Sequence, residues 1–339
     1  MDDKFDAIVV GAGPAGSAAA LVMARAGLNV VVIERGDPIG SKGVIGGVLY
    51  SNVLNDLIPN FWEEDGVGVE RFITRRVITV LSKDSGFSFD FKSAKWAEPP
   101  FNGFSVLRAR FDPWFAGKAE EVGANVFAGA VVDDLLWEGG KIAGIKAQGE
   151  EFPAHCVIAC DGTNSFLAQK AGLRKELRPD ELATSNKLVI ELPPEVIEER
   201  FNLAGDEGTA NEYVGPGATQ GLEGGAFLYT NKDSISLGLV VKISALYRNA
   251  YDQQLKMRDM IEDFRAHPLV RDLIRDGKVV EYSACMLPEG GRHAIPQLYT
   301  DGFLVAGNAA GFVNNAGWSF EGANFAISSG ITACPAAMP

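Results

Sequence analysis

The chain has 339 residues, 47% of them hydrophobic, and it carries 44 acidic against 31 basic side chains, a formal net charge of −13. This length accommodates one large domain or two of ordinary size. The acidic balance excludes nucleic acid as an expected partner, because binding to phosphates needs clustered Lys and Arg. It also disfavours electrostatic adhesion to an anionic membrane, whereas docking through apolar side chains stays open.

The uncharged run from Ala7 to Ala24 is long enough to resemble a membrane span. It contains three glycines, a proline and a serine, and it follows the acidic start Met1-Asp2-Asp3. A secretory signal has instead a basic start and an apolar centre. We therefore expect a cytoplasmic protein without a spanning segment.

The segment from Phe5 to Arg35 reads as strand, glycine-rich turn, helix and strand, the order of a dinucleotide-binding unit. Its three glycines permit the tight turn, the approach of a pyrophosphate and close helix packing, and the helix N-terminus offers N–H groups to phosphates. Glu34 holds the acidic position that favours an unphosphorylated ribose, and so FAD or NAD over NADP. The pattern alone does not choose between FAD and NAD, and an ordinary βαβ unit is the alternative. The candidate contacts are Gly11, Gly13, Pro14, Ala15, Gly16, Glu34 and Arg35.

Further elements follow in chain order. The glycine-rich loop from Gly36 to Gly47 has a length typical of functional loops, with a flexible surface loop as the alternative. Alternation from Arg75 to Phe91 predicts strands of a second sheet. Arg108 precedes a helix predicted to run to about Val122, and short strands are predicted over residues 126–149.

The second half mixes helices and strands. We expect a helix at Pro194–Phe201, strands around Gly225–Tyr229 and Ile235–Val241, and a helix from about Gln253 to Ala266. A strand–turn–helix pattern returns at Gly302–Gly311.

The stretch from Gly302 to Pro339 contains one charged residue, Glu321. A buried core helix and the floor of a cofactor pocket both explain such a composition, because cofactor sites are concave and mostly apolar. We expect the last helix to begin at Gly317-Trp318.

Cysteine and histidine spacing indicates no metal site and no catalytic side chain. Cys156, Cys160, Cys285 and Cys334 form no C-x-x-C pair, so reduced, buried thiols are expected rather than zinc or iron–sulfur ligation. The three histidines are scattered, and no Ser-His-Asp set is visible.

Three separated segments together resemble the FAD domain of the p-hydroxybenzoate-hydroxylase-like flavoproteins. They are Gly11-x-Gly13-x-x-Gly16, Cys160-Asp161-Gly162 and Gly307-Asn308-Ala309-Ala310-Gly311. The resemblance implies FAD, with its pyrophosphate on the first segment, its adenosine ribose on Glu34, and its ribityl chain and a phosphate on the third. Arg108 matches the family arginine that opens a helix near the FAD.

The implied fold is α/β, a Rossmann-like FAD-binding domain with an inserted antiparallel-sheet substrate domain. We expect the FAD-binding domain at 1–74, 101–178 and 295–339, and the substrate or partner domain at 75–100 and 179–294. A helix N-terminus at Gly317 aimed at the flavin would stabilise negative charge on the reduced ring, and Trp318 is either a flavin contact or a core aromatic. The further candidate FAD contacts are Lys42, Val44, Gly46, Gly47, Val132, Asp161, Gly162, Gly317 and Trp318.

Within this group the chain looks most like the FixC-type relatives of electron-transfer-flavoprotein:quinone oxidoreductase, over essentially its whole length. The matching segments are Gly40–Tyr50, Val106–Asp112, Gly224–Asn231, Ser234–Leu239 and His267-Pro268. The resemblance implies an oxidoreductase that takes electrons from an electron-transfer flavoprotein and passes them toward quinone, with a separate ferredoxin-like iron–sulfur subunit. It also implies a cytoplasmic location, with peripheral contact at the inner membrane left open.

Two enzyme relatives and one non-enzyme are the alternatives. Geranylgeranyl reductases carry Tyr-x-Trp-x-Phe-Pro where this chain has Gly225–Thr230, and aromatic hydroxylases carry a histidine where it has Gly311. An inactive FAD-binding subunit is the third alternative, because Asn308 replaces the family's aspartate and family members continue beyond the position of Pro339. Asn still offers a carbonyl acceptor to a ribityl hydroxyl. Two explanations of this ending are left open: truncation of the chain after Pro339 and an error in the sequence.

Overall fold

The computed structural model describes residues 4–41, 47–253, 255–317 and 319–337. The longer helices are α1 (Pro14–Arg25), α2 (Ser51–Leu57), α3 (Arg108–Glu121), α5 (Pro194–Phe201), α7 (Ile243–Gln253), α8 (Met257–Ala266) and α10 (Ala323–Ala337), and the shorter ones are α4 (Phe166–Lys170), α6 (Pro216–Thr219) and α9 (Pro268–Arg271). The strands are β1 (Phe5–Val10), β2 (Val30–Ile33), β3 (Val48–Tyr50), β4 (Val69–Leu81), β5 (Gly86–Lys92), β6 (Gly103–Val106), β7 (Asn125–Phe127), β8 (Val132–Glu138), β9 (Lys141–Ala147), β10 (Glu150–Ala159), β11 (Leu182–Glu191), β12 (Glu207–Val214), β13 (Gly224–Thr230), β14 (Ser234–Lys242), β15 (Lys278–Pro288), β16 (Tyr299–Thr300), β17 (Phe303–Val305), β18 (Asn314–Asn315) and β19 (Phe320–Glu321).

The first sheet has the order β16-β17-β10-β1-β2-β7, with the β8–β9 hairpin joined to β10. The run β17-β10-β1-β2-β7 is parallel. Val10 pairs with Ile33 and with Ala159, and Ala159 pairs with Val305, so these strands end in register. In an open parallel sheet, ligands bind beyond the carboxyl ends of the strands. The three glycine-containing segments predicted from the sequence therefore meet at one edge.

The second sheet has the order β15-β11-β14-β13-β12-β4-β6-β3, with β5 on the edge of β4. Its pairs are antiparallel except β4 with β12, which run parallel. The predicted α/β class with a Rossmann-like unit and a largely antiparallel second sheet is confirmed. Because β3, β6 and the start of β4 also pair into this sheet, the two parts are interleaved along the chain, and the predicted domain boundaries stay a prediction.

Helix α10 packs closely against α1. A Cβ atom on Gly330 would lie 2.1 Å from the Ala15 carbonyl oxygen, so only glycine allows this approach of the two backbones. The Cys334 thiol lies in the same contact, 3.4 Å from the Ala19 carbonyl oxygen. In the nearly uncharged stretch after Gly302, α10 thus buries one face, with Ala326, Ile327 and Cys334 in the core, whereas Phe325 is exposed. The prediction of a buried core helix holds for that face alone.

Two predicted helix starts are wrong. The expected helix at Gln253–Ala266 is α8, which begins only at Met257 because Lys256 is extended, and α7 before it was not predicted. The last helix begins at Ala323, not at Gly317-Trp318. Gly317 has a φ of +87°, and its N–H donates to Asn315 Oδ1 at 2.7 Å. This bond and the positive φ favour a turn at Gly317 in place of a helix start.

The four cysteines are free thiols, as predicted. Cys156 and Cys334 are buried as expected, whereas burial is only partial for Cys160 and Cys285. Across the described ranges, no group of three or more His, Cys, Asp or Glu side chains is placed to hold a metal ion. None of the helices in the described part of the chain is both long enough and apolar enough to cross a membrane.

Candidate functional site

The turn between β1 and α1 requires glycine at two positions for reasons internal to the protein. Gly11 has a φ of +105°, and a Cβ there would lie 2.4 Å from the Cys160 carbonyl oxygen. A Cβ on Gly16 would lie 1.8 Å from the Gly11 carbonyl oxygen. These two glycines therefore set the shape of the turn and the closeness of α1 to the sheet.

Gly13 differs from its two neighbours in the motif. A Cβ there would meet only the Arg108 guanidinium at 3.5 Å, an ordinary contact, and the backbone is extended. Gly13 caps α1 without a side-chain hydrogen bond, Pro14 occupies the first turn, and that turn has no acidic residue. The free side of Gly13 thus leaves an uncapped helix N-terminus open to an anion.

Glu34 is held rigidly where β2 ends. Its Oε2 accepts a hydrogen bond from Ala12 N–H at 2.8 Å, and its Oε1 accepts from Gly36 N–H at 2.6 Å. Each carboxylate oxygen retains a second lone pair, which can accept a ribose hydroxyl. Glu34 therefore stabilises the glycine turn through hydrogen bonds and also presents free acceptor positions beside this turn.

Arg108 opens α3 and forms a two-pronged ion pair with Asp112. Arg108 Nε and Nη2 donate to the two carboxylate oxygens at 2.5 and 2.6 Å, and Asp112 is 3% exposed. Within the described ranges, the third guanidinium nitrogen of Arg108, Nη1, makes no hydrogen bond. A positively charged group that still has free N–H donors thus lies beside Gly13.

Asp161 shapes the second segment. It accepts hydrogen bonds from the Ser165 hydroxyl at 2.9 Å and from Leu167 N–H at 3.2 Å, and burial raises its pKa. Arg174, which the sequence analysis did not single out, joins this segment to the third by donating to the carbonyl oxygens of Thr163 and Ala309. Arg174 is only 7% exposed, but a single buried arginine belongs to no repeating sequence pattern, so no signal for it was visible in the sequence.

The third segment is a single 3₁₀ turn, Gly307–Ala310, and no α-helix follows it directly. Gly307 has a φ of +65°, and its N–H donates to the Ser329 hydroxyl of α10 at 2.8 Å. Asn308 lines the cavity described next. Its Oδ1 would lie 3.5 Å from a Cβ on Gly322, so the amide faces the loop before α10.

A cavity of about 740 Å³ extends from the glycine turn to the second sheet. This volume lies within the range of small-molecule sites. Most of the predicted contacts line it: Gly11, Gly13, Pro14, Ala15, Glu34, Arg35, Gly47, Arg108, Val132, Asp161, Gly162, Asn308 and Gly317. Gly16 and Gly307 lie behind this lining, and Lys42, Val44, Gly46 and Trp318 fall outside the described residues. That any of these residues contacts FAD stays a prediction.

The opposite wall of the cavity was not predicted. It comes from β13, β14 and β15 of the second sheet, and the stacked rings of Phe227 and Tyr229, 5.0 Å apart, form part of it. Ala323 and Ala326 of α10 line another side of the cavity. This agrees with the prediction that the stretch after Gly302 forms the floor of a pocket. The period-two spacing of Gly225, Phe227 and Tyr229 was the available signal, since alternate residues of a strand share a face.

The donor set of this cavity fits FAD. The uncapped α1 N-terminus and Gly13 suit a pyrophosphate, and Glu34 offers acceptors suited to a ribose. The cavity continues beyond them toward an apolar wall, where an extended cofactor has room for its ring system. A smaller nucleotide would leave that far part unfilled.

Comparisons with known proteins agree with this geometry. The family model described as FAD dependent oxidoreductase matches residues 6–200, and the one described as ETF-QO, ubiquinone-binding, matches residues 197–287. Protein FixC of Escherichia coli strain K12 is 45% identical over 332 residues, which are 98% of this chain and 76% of FixC. The probable electron transfer flavoprotein-quinone oxidoreductase YdiS of the same strain is 47% identical over 328 residues, 97% of this chain and 75% of YdiS.

Solved structures share the fold at lower identity. A geranylgeranyl bacteriochlorophyll reductase-like protein from Thermoplasma acidophilum superposes with a TM-score of 0.79 at 22% identity, covering 98% of this chain and 78% of that one. CtdE, solved in complex with FAD, superposes with a TM-score of 0.64 at 18% identity, covering 98% of this chain and 84% of CtdE. The chain therefore belongs to the FAD-dependent oxidoreductase family, in its FixC branch, and FAD is its cofactor.

Proposed function

We propose that this protein accepts electrons from an electron-transfer flavoprotein and passes them, through its FAD, to a quinone. The name of YdiS describes that activity for a relative that is 47% identical. The match of residues 197–287 to a ubiquinone-binding model supports quinone as the acceptor.

One observation carries the proposal. The strands matched by the ubiquinone-binding model form the wall of the same cavity that begins at the glycine turn. Phe227, Tyr229 and Val240 lie in this wall, together with Ala284–Leu287 of β15. A flat apolar acceptor bound against this wall would lie beside a cofactor anchored at Gly13.

The protein's own groups bind and orient, while FAD supplies the capacity to hold two electrons and release them singly. The α1 N-terminus and Arg108 offset phosphate charge, and Glu34 orients the adenosine end. The apolar wall excludes water from the reacting end, which strengthens electrostatic interactions there. The described side chains therefore bind the cofactor and shield its reacting end from water, and none of them needs to form a covalent intermediate.

The proposal is tested first without the donor protein. FAD-loaded protein reduced anaerobically with dithionite is mixed with a short-chain ubiquinone, and the flavin absorbance is followed. We expect rapid reoxidation and formation of one quinol per flavin. Reoxidation by oxygen but not by ubiquinone would contradict the proposal.

We also propose peripheral contact with the cytoplasmic face of the inner membrane, where quinone is dissolved. Edge strand β5 exposes three phenylalanines on one face, Phe87, Phe89 and Phe91, at 58%, 66% and 56%. Exposed aromatic rows of this kind mark interaction surfaces.

The ferredoxin-like subunit that the family resemblance implies is proposed as a separate partner, which takes electrons in place of quinone.

Removing the aromatic row should release the protein from lipid. The triple change Phe87→Ser, Phe89→Ser, Phe91→Ser is expected to weaken binding to neutral phospholipid vesicles about 100-fold, since losing three partly inserted rings costs about 3 kcal/mol. Co-sedimentation measures this loss. Phe127→Ser, at an equally exposed phenylalanine on β7, is the matched control. Equal binding by the triple variant and the wild type would rule out this surface.

A further inference from the structure

A polar cluster around the buried Glu212 lies on the cavity side of the second sheet, and cofactor binding does not explain it. Glu212 on β12 is 1% exposed, and its Oε1 accepts a hydrogen bond from Arg76 Nη2 at 2.5 Å. Arg76 also donates to the Tyr50 hydroxyl, which donates to Glu321 Oε1 at 3.0 Å. These four side chains, from β4, β12, β3 and β19, form a continuous hydrogen-bonded chain, which we call the Glu212 cluster.

The other carboxylate oxygen of Glu212 is buried and has no hydrogen-bond partner among the described residues. Burial disfavours the charged form of a carboxylate, and an oxygen without a partner adds to this cost even when the other oxygen is ion-paired. Burial accordingly raises the pKa of Glu212 to about 7, against the lowering effect of Arg76. The charged or titratable groups around it are Arg76, Glu321, Tyr50, Tyr229 and Tyr213.

Sheet register places Glu212 next to the cavity wall. Glu212 pairs with Phe227 and Ala210 pairs with Tyr229, so Glu212 and Tyr229 are diagonal neighbours on one face. Such neighbours have Cβ atoms about 7–8 Å apart, within reach of long and aromatic side chains. Tyr229 lines the cavity, and no hydrogen bond of its hydroxyl occurs within the described ranges.

The same face continues outward to the exposed aromatic row. Phe89 pairs with Ile78, and Phe91 pairs with Arg76 of the Glu212 cluster. Cross-strand partners point to one side of a sheet. The Glu212 cluster therefore lies between the proposed membrane-facing row and the wall of the cavity.

We propose that Glu212 stores a proton and supplies it, through the Tyr229 hydroxyl, to the quinone as it is reduced. This inference rests on the proposed function. Reduction of quinone to quinol takes two electrons, which come from the flavin, and two protons, while the flavin's own protons are released to water as it is oxidised. In our scheme Tyr229 donates its proton to one quinone oxygen and regains it from Glu212. Water supplies the second proton and reprotonates Glu212, whose transient charge is offset by Arg76.

The test compares an acceptor that takes protons with one that does not. FAD-loaded Glu212→Gln is reduced with dithionite and mixed with either short-chain ubiquinone or ferricenium, a one-electron acceptor that binds no proton. General acid catalysis contributes about 100-fold or more, so we expect ubiquinone reduction to slow about 100-fold while ferricenium reduction is unchanged. In the wild type the ubiquinone rate should fall as the pH rises through about 7, and the variant should lose this break.

Controls separate the two proposals. Glu70→Gln changes another buried, ion-paired glutamate whose partner is Arg110, and it should leave the wild-type pH break in place. Tyr229→Phe keeps the ring and should reproduce the Glu212→Gln defect. Glu212→Gln with a wild-type ubiquinone rate and pH break would overturn the proton-store inference alone. A wild type that reduces ferricenium but not ubiquinone would overturn the proposed function as well.

An infrared readout does not depend on turnover. In the apoprotein, raising the pH through about 7 should remove more protonated-carboxyl absorbance from the wild type than from Glu212→Gln, in which Glu289, whose pKa burial also raises to about 7, still contributes. An equal loss of absorbance in the two proteins would show that Glu212 does not store the proton.

Discussion

Gly13→Ala is expected to abolish most FAD binding while the protein still folds. The added methyl meets only the Arg108 guanidinium at 3.5 Å within the protein, so the fold can accept it. It also occupies the open side of the α1 N-terminus, where a pyrophosphate has to approach the backbone. We expect FAD affinity to fall about 100-fold, or about 2.7 kcal/mol, measured by titration of the apoprotein with FAD.

Two other glycines provide the controls for this prediction. Gly117→Ala adds a methyl with no atom within 4 Å, so it should leave FAD affinity unchanged. Because Gly117 lies inside α3, alanine should raise stability there by about 0.5–1 kcal/mol. Gly16→Ala brings its methyl to 1.8 Å from the Gly11 carbonyl oxygen and should prevent folding of the nucleotide-binding unit. Gly13→Ala itself should cost about 1 kcal/mol of stability or less, because alanine is a poorer N-cap than glycine. If Gly13→Ala bound FAD like the wild type, the pyrophosphate would not lie at this turn.

Arg108→Ala is expected to have the second large effect, on stability and cofactor affinity together. It leaves the carboxylate of Asp112, 3% exposed, without its cation. Removing one partner of a buried ion pair typically costs about 3–5 kcal/mol of folding free energy. Chemical denaturation of the apoprotein measures this loss, and titration with FAD measures the loss of the positive group beside Gly13.

The double variant Arg108→Ala, Asp112→Ala separates the two effects. It removes the unpaired charge, so stability should recover in large part, while FAD affinity should stay low because the cation is still missing. Recovery of FAD affinity in the double variant would mean that Arg108 serves only the fold.

The nucleotide-binding half could be predicted because its signals are local. Gly16 is required by a backbone contact within one turn and Gly11 by its φ of +105°, and such local requirements are visible as a spacing in the sequence. That the Asp161 and Asn308 segments join them follows from the parallel pairing of strands β1, β10 and β17. Strand ends of a parallel sheet meet at one edge, so recognising the segments was enough to place them together.

The second half was harder because its site depends on long-range register. Glu212 meets Arg76 only since β4 and β12 pair in parallel, although 136 residues separate the two side chains. Nothing in the local sequence of either strand specifies that pairing. The start of the last helix was wrong for a local reason, because Asn315 holds Gly317 in a turn before α10 begins at Ala323.

The central claim is that electrons pass from an electron-transfer flavoprotein through this protein to quinone. It is tested most directly by measuring quinol formation in an anaerobic mixture of reduced electron-transfer flavoprotein, this protein loaded with FAD, and short-chain ubiquinone. We expect quinol to form at a rate proportional to the amount of this protein, and Gly13→Ala to form almost none. If no quinol formed while NAD(P)H readily reduced the bound flavin, the assignment of donor and acceptor would be contradicted.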